Sequence, residues 1–569
     1  MGELIFHRGA VTFNLVGGFL LTLPVGLLLL TRYRHAVDRL MRQTTGPAPA
    51  DDRVPQPPSA SLRLRLDRAP APGGPPAFPS GPLRRAALIE LAGGLAFGLL
   101  AGLLVLLFAR FQISPLRLAS VALAFAWPAI LVLNLQWGPD RRRQLVTVSA
   151  YLIAVALLCL LSGLSARGGV AAFLAPLQLW AVYASFGIVL LLFLNRAVRA
   201  IGPILVVIAV AALFGANLAL SLLATEAGAY AALDLARMLG GGAWAALLGT
   251  AAAGLALGGA AGWVAAGALA RTHARKRYGE QTLVTDAIWL VQTLVLANSL
   301  VIEGGAWGLP AALLPFLAYK LITGLAYRRM VAVLHGRPGQ PLLLLRVFGF
   351  GRRSIKLADL IAARWRHLGP LRLIAAPDVA GQVVAPRTFL AFLRGGLGGL
   401  FIRDRADLGR RVAELDGIRD PDARFRIEEL FCAGDVWREA VRRLMPEACA
   451  VVMDLRSFGR GNQGCTFELQ ALVDTVPLQR IFLLVDETTD LDFLRATLAE
   501  GWRKLDTASP NQHIPEPELR LLNVAGSERA AIQQLLQEAA ALGTPMPSMV
   551  GTTGGPQREL GSSKSARTA

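Results

Sequence analysis

The segment Val451–Gln470, VVMDLRSFGRGNQGCTFELQ, holds the residue types best suited to chemistry. A continuous apolar run opens into a glycine-rich stretch, and Glu468 falls in the first turns of the helix expected next. A carboxylate there sits at a sheet rim, where it could meet a bound ribose and where the helix macrodipole favours its ionised form. An ordinary helix-start glutamate has the same spacing, so the pattern leaves both readings open. A second candidate is Gly349-Phe-Gly-Arg-Arg-Ser354, between an apolar run and a helical pattern. Glycines permit close backbone approach, a helix N-terminus offers free N–H groups, and Arg352 and Arg353 add charge suited to phosphate. Ser354 stands where a dinucleotide fingerprint needs its third glycine, so a plain strand-to-helix turn competes.

Other constellations are missing. His7, His35, His273, His335, His367 and His513 are scattered, with no HExxH spacing. Cys159, Cys432, Cys449 and Cys465 form no CxxC pair and read as reduced thiols, so no metal site is expected. There is no Walker A sequence and no G-x-S-x-G elbow. Asp454 and Asp486–Glu487 close apolar runs and could contribute to a cleft, though capping a turn is the commoner role of such residues.

The pattern of residues 340–542 supplies the frame that would position these groups. Apolar runs at 341–348, Leu371–Ala376, Cys449–Leu455, Ile481–Val485 and Leu519–Val524 read as strands. Helical patterns lie at Ser354–Leu368, 424–444, Thr466–Val473, 490–500 and Glu528–Leu542. Strands apolar throughout, alternating with helices, predict a doubly wound parallel sheet of flavodoxin-like class. Both candidate segments then fall at carboxyl ends of strands, where such sheets bind ligands.

The first 327 residues suit a different solvent. The chain has 569 residues, 54% of them hydrophobic and 17% charged. Stretches at 11–31, 86–108, 117–137, 145–164, 170–194, 201–223, 243–270, 283–302 and 308–327 each have about the 20 residues that spanning hydrocarbon requires. Alternate connections at 32–85, 138–144, 195–200 and 271–282 carry 10, 3, 2 and 4 Lys+Arg; those between carry 1, 1, 1 and 0. The positive-inside rule then puts the N-terminus outside and residues 340–542 in the cytoplasm of a cell with this chain in its inner (plasma) membrane. It also absorbs the net charge of +19, since 340–541 hold 27 Lys+Arg against 26 Asp+Glu. Nucleic acid is therefore not an expected partner; the lipid bilayer is.

The expected organisation is a first span within 1–31, a Pro/Arg-rich cytoplasmic linker at 32–85 and an eight-span domain at 86–327. An α/β domain at 340–542 and a disordered tail at 543–569 complete it. Eleven prolines between Gly46 and Pro82 predict a mobile linker, with the alternating Arg and Leu of 62–66 as a lesser candidate for anionic lipid. Charges inside the spans are few. Glu90 and Asp286 fall near cytoplasmic ends, and Lys320 is placed to snorkel. Asn14, Asn134, Asn217, Gln292 and Asn298 read as interhelical hydrogen-bonding groups.

Ser457, then Cys465-Thr-Phe-Glu468-Leu469 after a strand, resembles the S…C-x-x-E-L segment of Toll/interleukin-1 receptor (TIR) domains. The run LLLLRVF at 342–348 is similar to the opening strand of bacterial membrane-linked TIR-like domains. In TIR domains that cleave NAD the motif's glutamate is catalytic, and Glu468 is the position that matches it. The resemblance implies NAD as substrate, no further cofactor, and cleavage of the nicotinamide–ribose bond through an oxocarbenium-like transition state. Arg346, Phe348, Gly349, Gly351 and Arg352 around the first strand's loop, with Ser457 and Cys465, form the implied binding set. It also implies self-association through this domain. The expected function is a multi-pass signalling or defence-type membrane protein whose TIR-like domain mediates interaction, with NAD cleavage as an added activity if Glu468 acts. A transporter or channel with a regulatory α/β domain is the alternative, and a nucleotide-binding transferase using Gly349–Ser354 the third reading.

Overall fold

The computed structural model describes residues 24–40, 58, 60–68, 80–138, 140–165, 169–194, 196–223, 225–304, 307–334, 339–346, 351–375, 386–415, 417–432 and 436–543. Helix α1 covers 24–40, and α2 (Ser80–Phe108) follows the linker. Next come α3 (Pro115–Ala126), α4 (Pro128–Trp137), α5 (Arg141–Ser165), α6 (Gly169–Ala184) and α7 (Arg196–Leu222). The helical part closes with α8 (Glu226–Met238), α9 (Ala243–Ala274), α10 (Glu280–Gly304) and α11 (Gly308–Leu334).

Six helical segments among the described residues are long and apolar enough to cross a membrane: Gly81–Phe108, Arg141–Ser165, Ile201–Leu220, Ala243–Ala274, Glu280–Val301 and Gly308–Leu334. Pro115–Ala126 with Pro128–Trp137 makes a seventh if a pair bent by 47° counts as one span. The stretch expected to be continuous at 117–137 breaks there because Pro128 has no N–H to carry the ladder. Helix α6 gives way to a 3-10 helix at Ser185–Leu194, so 170–194 is not one regular span. Of the first stretch, 11–31, only 24–31 lie within the described residues. The connection 224–242 holds a helix, α8, capped by Thr225, whose hydroxyl accepts from the Gly228 N–H at 3.2 Å. Helices α7 and α9 pack backbone to backbone. A Cβ at Gly215 or Gly258 would strike the partner helix's main chain, which is why small residues fill this seam.

Among the described residues the sheet has eight parallel strands. They are β1 (Arg63–Arg68), β2 (Leu342–Arg346), β3 (Leu371–Ala375), β4 (Phe401–Ile402), β5 (Ile427–Cys432), β6 (Ala450–Asp454), β7 (Ile481–Val485) and β8 (Glu518–Asn523). Their order is β1-β8-β7-β6-β2-β3-β5-β4. The chain leaves β2 toward β3, then returns to place β6 on the other side of β2. That reversal makes the switch point of a doubly wound sheet, as the apolar runs predicted. Leu343, Leu345, Val451 and Met453 face α15 (Val436–Leu444), α16 (Gln463–Thr475) and α17 (Leu491–Arg503). Leu342, Leu344, Ala450 and Val452 face α12 (Gly351–Trp365) and α18 (Glu528–Ala541). Burial on both faces is the reason these strands read as continuous apolar runs.

Two expectations are corrected. The helix expected at 424–444 is a strand, β5, followed by α15; β5 lies between β3 and β4, where pairing overrides the helical pattern of IEEL. Between them and β3, where no signature was legible, lie α13 (Pro386–Leu393), β4 and α14 (Arg405–Ala413). The expected mobile linker also supplies a strand. Residues Arg63–Arg68 pair with Glu518–Asn523 in parallel register, and Leu62 and Leu64 pack against the core. Arg520 reaches Asp67 at 2.6 Å, and the Trp502 indole donates to the Ala60 carbonyl at 2.7 Å. The alternation RLRLDR is thus the period of an edge strand, with Leu64 turned to the core and Arg63 and Arg65 outward, rather than a lipid-binding patch. Residues 544–569, most of the expected tail, lie outside the described residues.

If β1 is a working part of the sheet, the double variant Leu62→Asp/Leu64→Asp should strip amide protection from Glu518–Asn523. Hydrogen exchange on the full chain measures it, with protection at Val451–Asp454 kept as the internal control.

Candidate functional site

The carboxyl edge of the sheet is the first place to look, since β2 and β6 diverge there. Arg346 ends β2 directly opposite Asp454, the last residue of β6. Gly351 and Arg352 open α12 beyond it, though their side-chain surroundings, like that of Arg346, lie outside the described residues. So do Phe348 and Gly349 entirely. The Asp454 carboxylate accepts from Arg456 through both oxygens, at 2.7 Å each, and Arg456 also holds Glu528 at 2.6 Å. Burial opposes charge on Arg456, but the two carboxylates more than offset it and hold the guanidinium above its ordinary value. Lys356 approaches Glu528 at 3.6 Å and Arg353 approaches Asp486 at 3.8 Å. Asp486 also accepts from the Thr488 N–H at 2.9 Å, so the turn-cap reading of both aspartates holds.

Ser457 adopts φ +60°, a left-handed turn that fixes the loop after β6. Its N–H donates to the Thr488 hydroxyl at 2.9 Å, and the two hydroxyls are 2.9 Å apart. Cys465 and Glu468 go elsewhere. Cys465 is fully buried in the core between α16 and the sheet, and Glu468 is only 2% exposed in the second turn of α16. The structure therefore brings Arg346, Ser457 and the unforeseen Arg456–Asp454–Glu528 cluster to one edge and draws Glu468 into helix packing. The D-x-R spacing of Asp454 and Arg456 was the one signal in the sequence for that cluster.

No protein-family model, curated protein or solved structure matches the chain. Among the described residues no group of three or more His, Cys, Asp or Glu is placed to hold a metal ion. Burial pushes the Cys432 and Cys449 thiols up to about 12, which keeps them protonated and unreactive at neutral pH.

The second place is the junction between the helical part and the α/β unit. The loop 417–426 docks onto 273–281, the connection between α9 and α10. Arg426 donates from Nε to both Asp420 oxygens, at 2.9 and 3.0 Å, and from Nη2 to the His273 carbonyl at 2.7 Å. Arg366 bridges the same seam, meeting Glu280 at 2.9 Å and the Phe425 carbonyl at 2.6 Å. Arg424 reaches back to Gln136 and Gln281, and Lys276 donates to the Ile418 carbonyl at 3.1 Å. Burial raises the Asp420 carboxyl to about 7 even against the pull of Arg426. Burial also holds His367 well below its ordinary value, helped by the nearby Arg424, Arg366 and Arg419.

Beside this joint is a cavity of about 1190 Å³, lined by α2, α10, α11, residues 276–279 between α9 and α10, and the loop 417–421. Its inner wall carries Glu90, which accepts from the Tyr319 hydroxyl at 3.0 Å and from the Tyr327 hydroxyl at 2.9 Å. Lys320 pairs with Asp286 at 2.6 Å and lies 5.2 Å from the centre of the Tyr278 ring. In the sequence they stand as separate charges at span ends, with Lys320 placed to snorkel. They are one cluster, and helix pairing across more than 200 positions of sequence is what assembles it. Gln292 is fully buried, but its amide has no hydrogen-bond partner among the described residues, so the expected interhelical bond is not seen. Asn14 lies outside the described residues and so does the side chain of Asn298.

Arg426→Ala leaves Asp420 buried without its guanidinium, a change worth about 3–5 kcal/mol in such pairs. A matching loss in the denaturation midpoint of the full chain, several-fold larger than for exposed Arg495→Ala, is the expected result. His367 adds a pH dependence of known sign. Its pKa is depressed in the folded state, so its contribution is intact above the unfolded value of about 6.5 and is lost as pH falls below it. Asp420, raised on folding, pulls the opposite way, so the variant His367→Asn isolates the histidine. Its melting temperature should gain on wild type as the pH drops from neutral toward 5.

Proposed function

We propose that this chain is a multi-pass membrane protein that relays the state of its helical bundle to a cytoplasmic α/β domain acting as an interaction module. The observation that carries this reading is the joint. Arg426, Arg366 and Arg424 tie the sheet unit to 273–281 and Gln136 through buried charge-assisted bonds, which a loosely tethered domain has no need to make. Two further attachments support it. Tyr33 of α1 packs with Phe389 and Phe392 and donates to Thr388 at 3.0 Å, and β1 straps the opposite edge of the sheet. A bundle movement at any of the three is transmitted to the sheet as a rigid load.

The TIR-like reading belongs to the same proposal as a statement about fold. The strands β3, β2, β6, β7 and β8 run in the order 2-1-3-4-5, the flavodoxin-like order, with β5, β4 and β1 added outside them. Fold likeness alone does not assign chemistry. The burial of Glu468 favours interaction over NAD cleavage, because a carboxylate that stabilises an oxocarbenium ion must touch the ribose. Placing the bundle in the plasma membrane with the sheet inside follows from the loop charges, and nine spans remain the topology those charges favour.

The test uses the full chain in lipid nanodiscs. Asp286→Asn breaks the Lys320 pair within the bundle, and hydrogen exchange is read far away, at the loop 455–462. Exchange there should change in the wild-type background and stay fixed in the Arg426→Ala background; an unaltered loop in both sinks the relay. The same preparation is incubated with NAD. No nicotinamide release is expected, whereas release abolished by Glu468→Gln would replace the interaction module by an NAD-consuming effector.

A further inference from the structure

The charges that border the junction cavity do not balance. Five cationic side chains border it, Lys276, Arg277, Lys320, Arg328 and Arg419, against the acids Glu90 and Asp420. Both acids are already engaged. Each oxygen of Glu90 accepts from a tyrosine, and both oxygens of Asp420 accept from Arg426, which stands outside the lining. Lys320 is neutralised by Asp286, while Arg277 and Arg328 are exposed and form no ion pair among the described residues. The positive-inside rule accounts for basic residues on this side of the bundle. It does not account for their convergence on one concavity with Arg419, which comes from the α/β unit more than 80 positions later.

The space is also too large for a bare ion. A cavity of about 1190 Å³ is of the size that holds a whole polar ligand, and Val331 and Leu334 give part of its wall an apolar surface. Arginines arranged about a concavity suit the tetrahedral oxygens of phosphate, which accept paired N–H donors from each guanidinium. We propose that the junction cavity binds a phosphate-bearing anion, held by Arg277, Arg328 and Arg419, and that its occupancy tightens the docking of the loop 417–426. The anion bridges cations of both units, so it adds attraction across the seam that the buried joint makes. This inference names the ligand class of the relay proposed above and rests on that reading. The same chemistry is offered by a phospholipid headgroup at the bilayer face or by a soluble phosphate compound.

The experiment compares the full chain in three preparations: nanodiscs of phosphatidylcholine alone, of phosphatidylcholine with phosphatidylglycerol, and of phosphatidylcholine with added pyrophosphate. Amide protection at 273–281 and 417–426 is the readout. Protection gained with phosphatidylglycerol identifies the lipid, and protection gained with pyrophosphate identifies a soluble ligand. In either case the double variant Arg277→Ala/Arg328→Ala should weaken half-saturation about fivefold for each arginine removed. Both side chains are exposed, and an unchanged melting temperature in phosphatidylcholine confirms that the variant is folded. No protection in either arm, or protection that the double variant keeps undiminished, overturns the proposal. Binding is scored independently of the loop 455–462, so loss of the relay and loss of the ligand site are separate outcomes.

Discussion

The pairing of Arg426 with Asp420 is the constraint on which the rest of the arrangement turns. Arg426 has 6% of its side chain exposed and Asp420 none, so neither charge can return to water while the other stays in place. An unpaired charge in such a site costs several kcal/mol, which makes the joint an all-or-none contact. Because Arg426 also donates to the His273 carbonyl, satisfying the pair fixes the connection between α9 and α10 at the same time. That one set of bonds holds the loop 417–426 against the connection between α9 and α10. Ala423, at φ +63°, accepts a left-handed backbone so that the loop can turn its carboxylate and arginines to the seam.

A parallel sheet must be covered on both faces and guarded at both edges. Helices α12 and α18 cover one face and α15, α16 and α17 the other. The edges are guarded by parts of the chain that belong to the helical half. The connection between α1 and α2 lays β1 along β8, and Phe401 of β4 with Phe431 of β5 packs in a cluster with Tyr33, Ala266 and Ala270. Neither half is complete without the other. That interdependence adds to the case the joint makes for mechanical coupling.

The candidate chemistry was legible only in part. The alternation of apolar runs and helical patterns placed Arg346, Gly351 and Ser457 at the carboxyl edge, because strand ends can be read from where hydrophobicity stops. It could not tell which face of α16 carries Glu468. That depends on the helix phase set by Leu469 and Leu472 against the sheet, and this phase turns the glutamate inward. The cluster of Glu90, Tyr319, Tyr327, Lys320 and Asp286 was hidden for a related reason. Each residue looks isolated within its own span, and only the packing of α2, α10 and α11 brings them together.

By itself the sequence determined that long apolar helices precede an α/β unit, and it determined the parallel, doubly wound class of that unit's sheet. Those properties are encoded by local periodicity and composition, which act within a few residues of one another. Tertiary structure alone decided that a proline-rich linker would donate a strand, that β5 would displace a helical pattern, and that Glu468 would be sealed. It also decided that charges from distant helices would share one cavity. Each of these outcomes is set by contacts between segments far apart in the chain, whose energies depend on which partner arrives and leave no periodic trace in either segment.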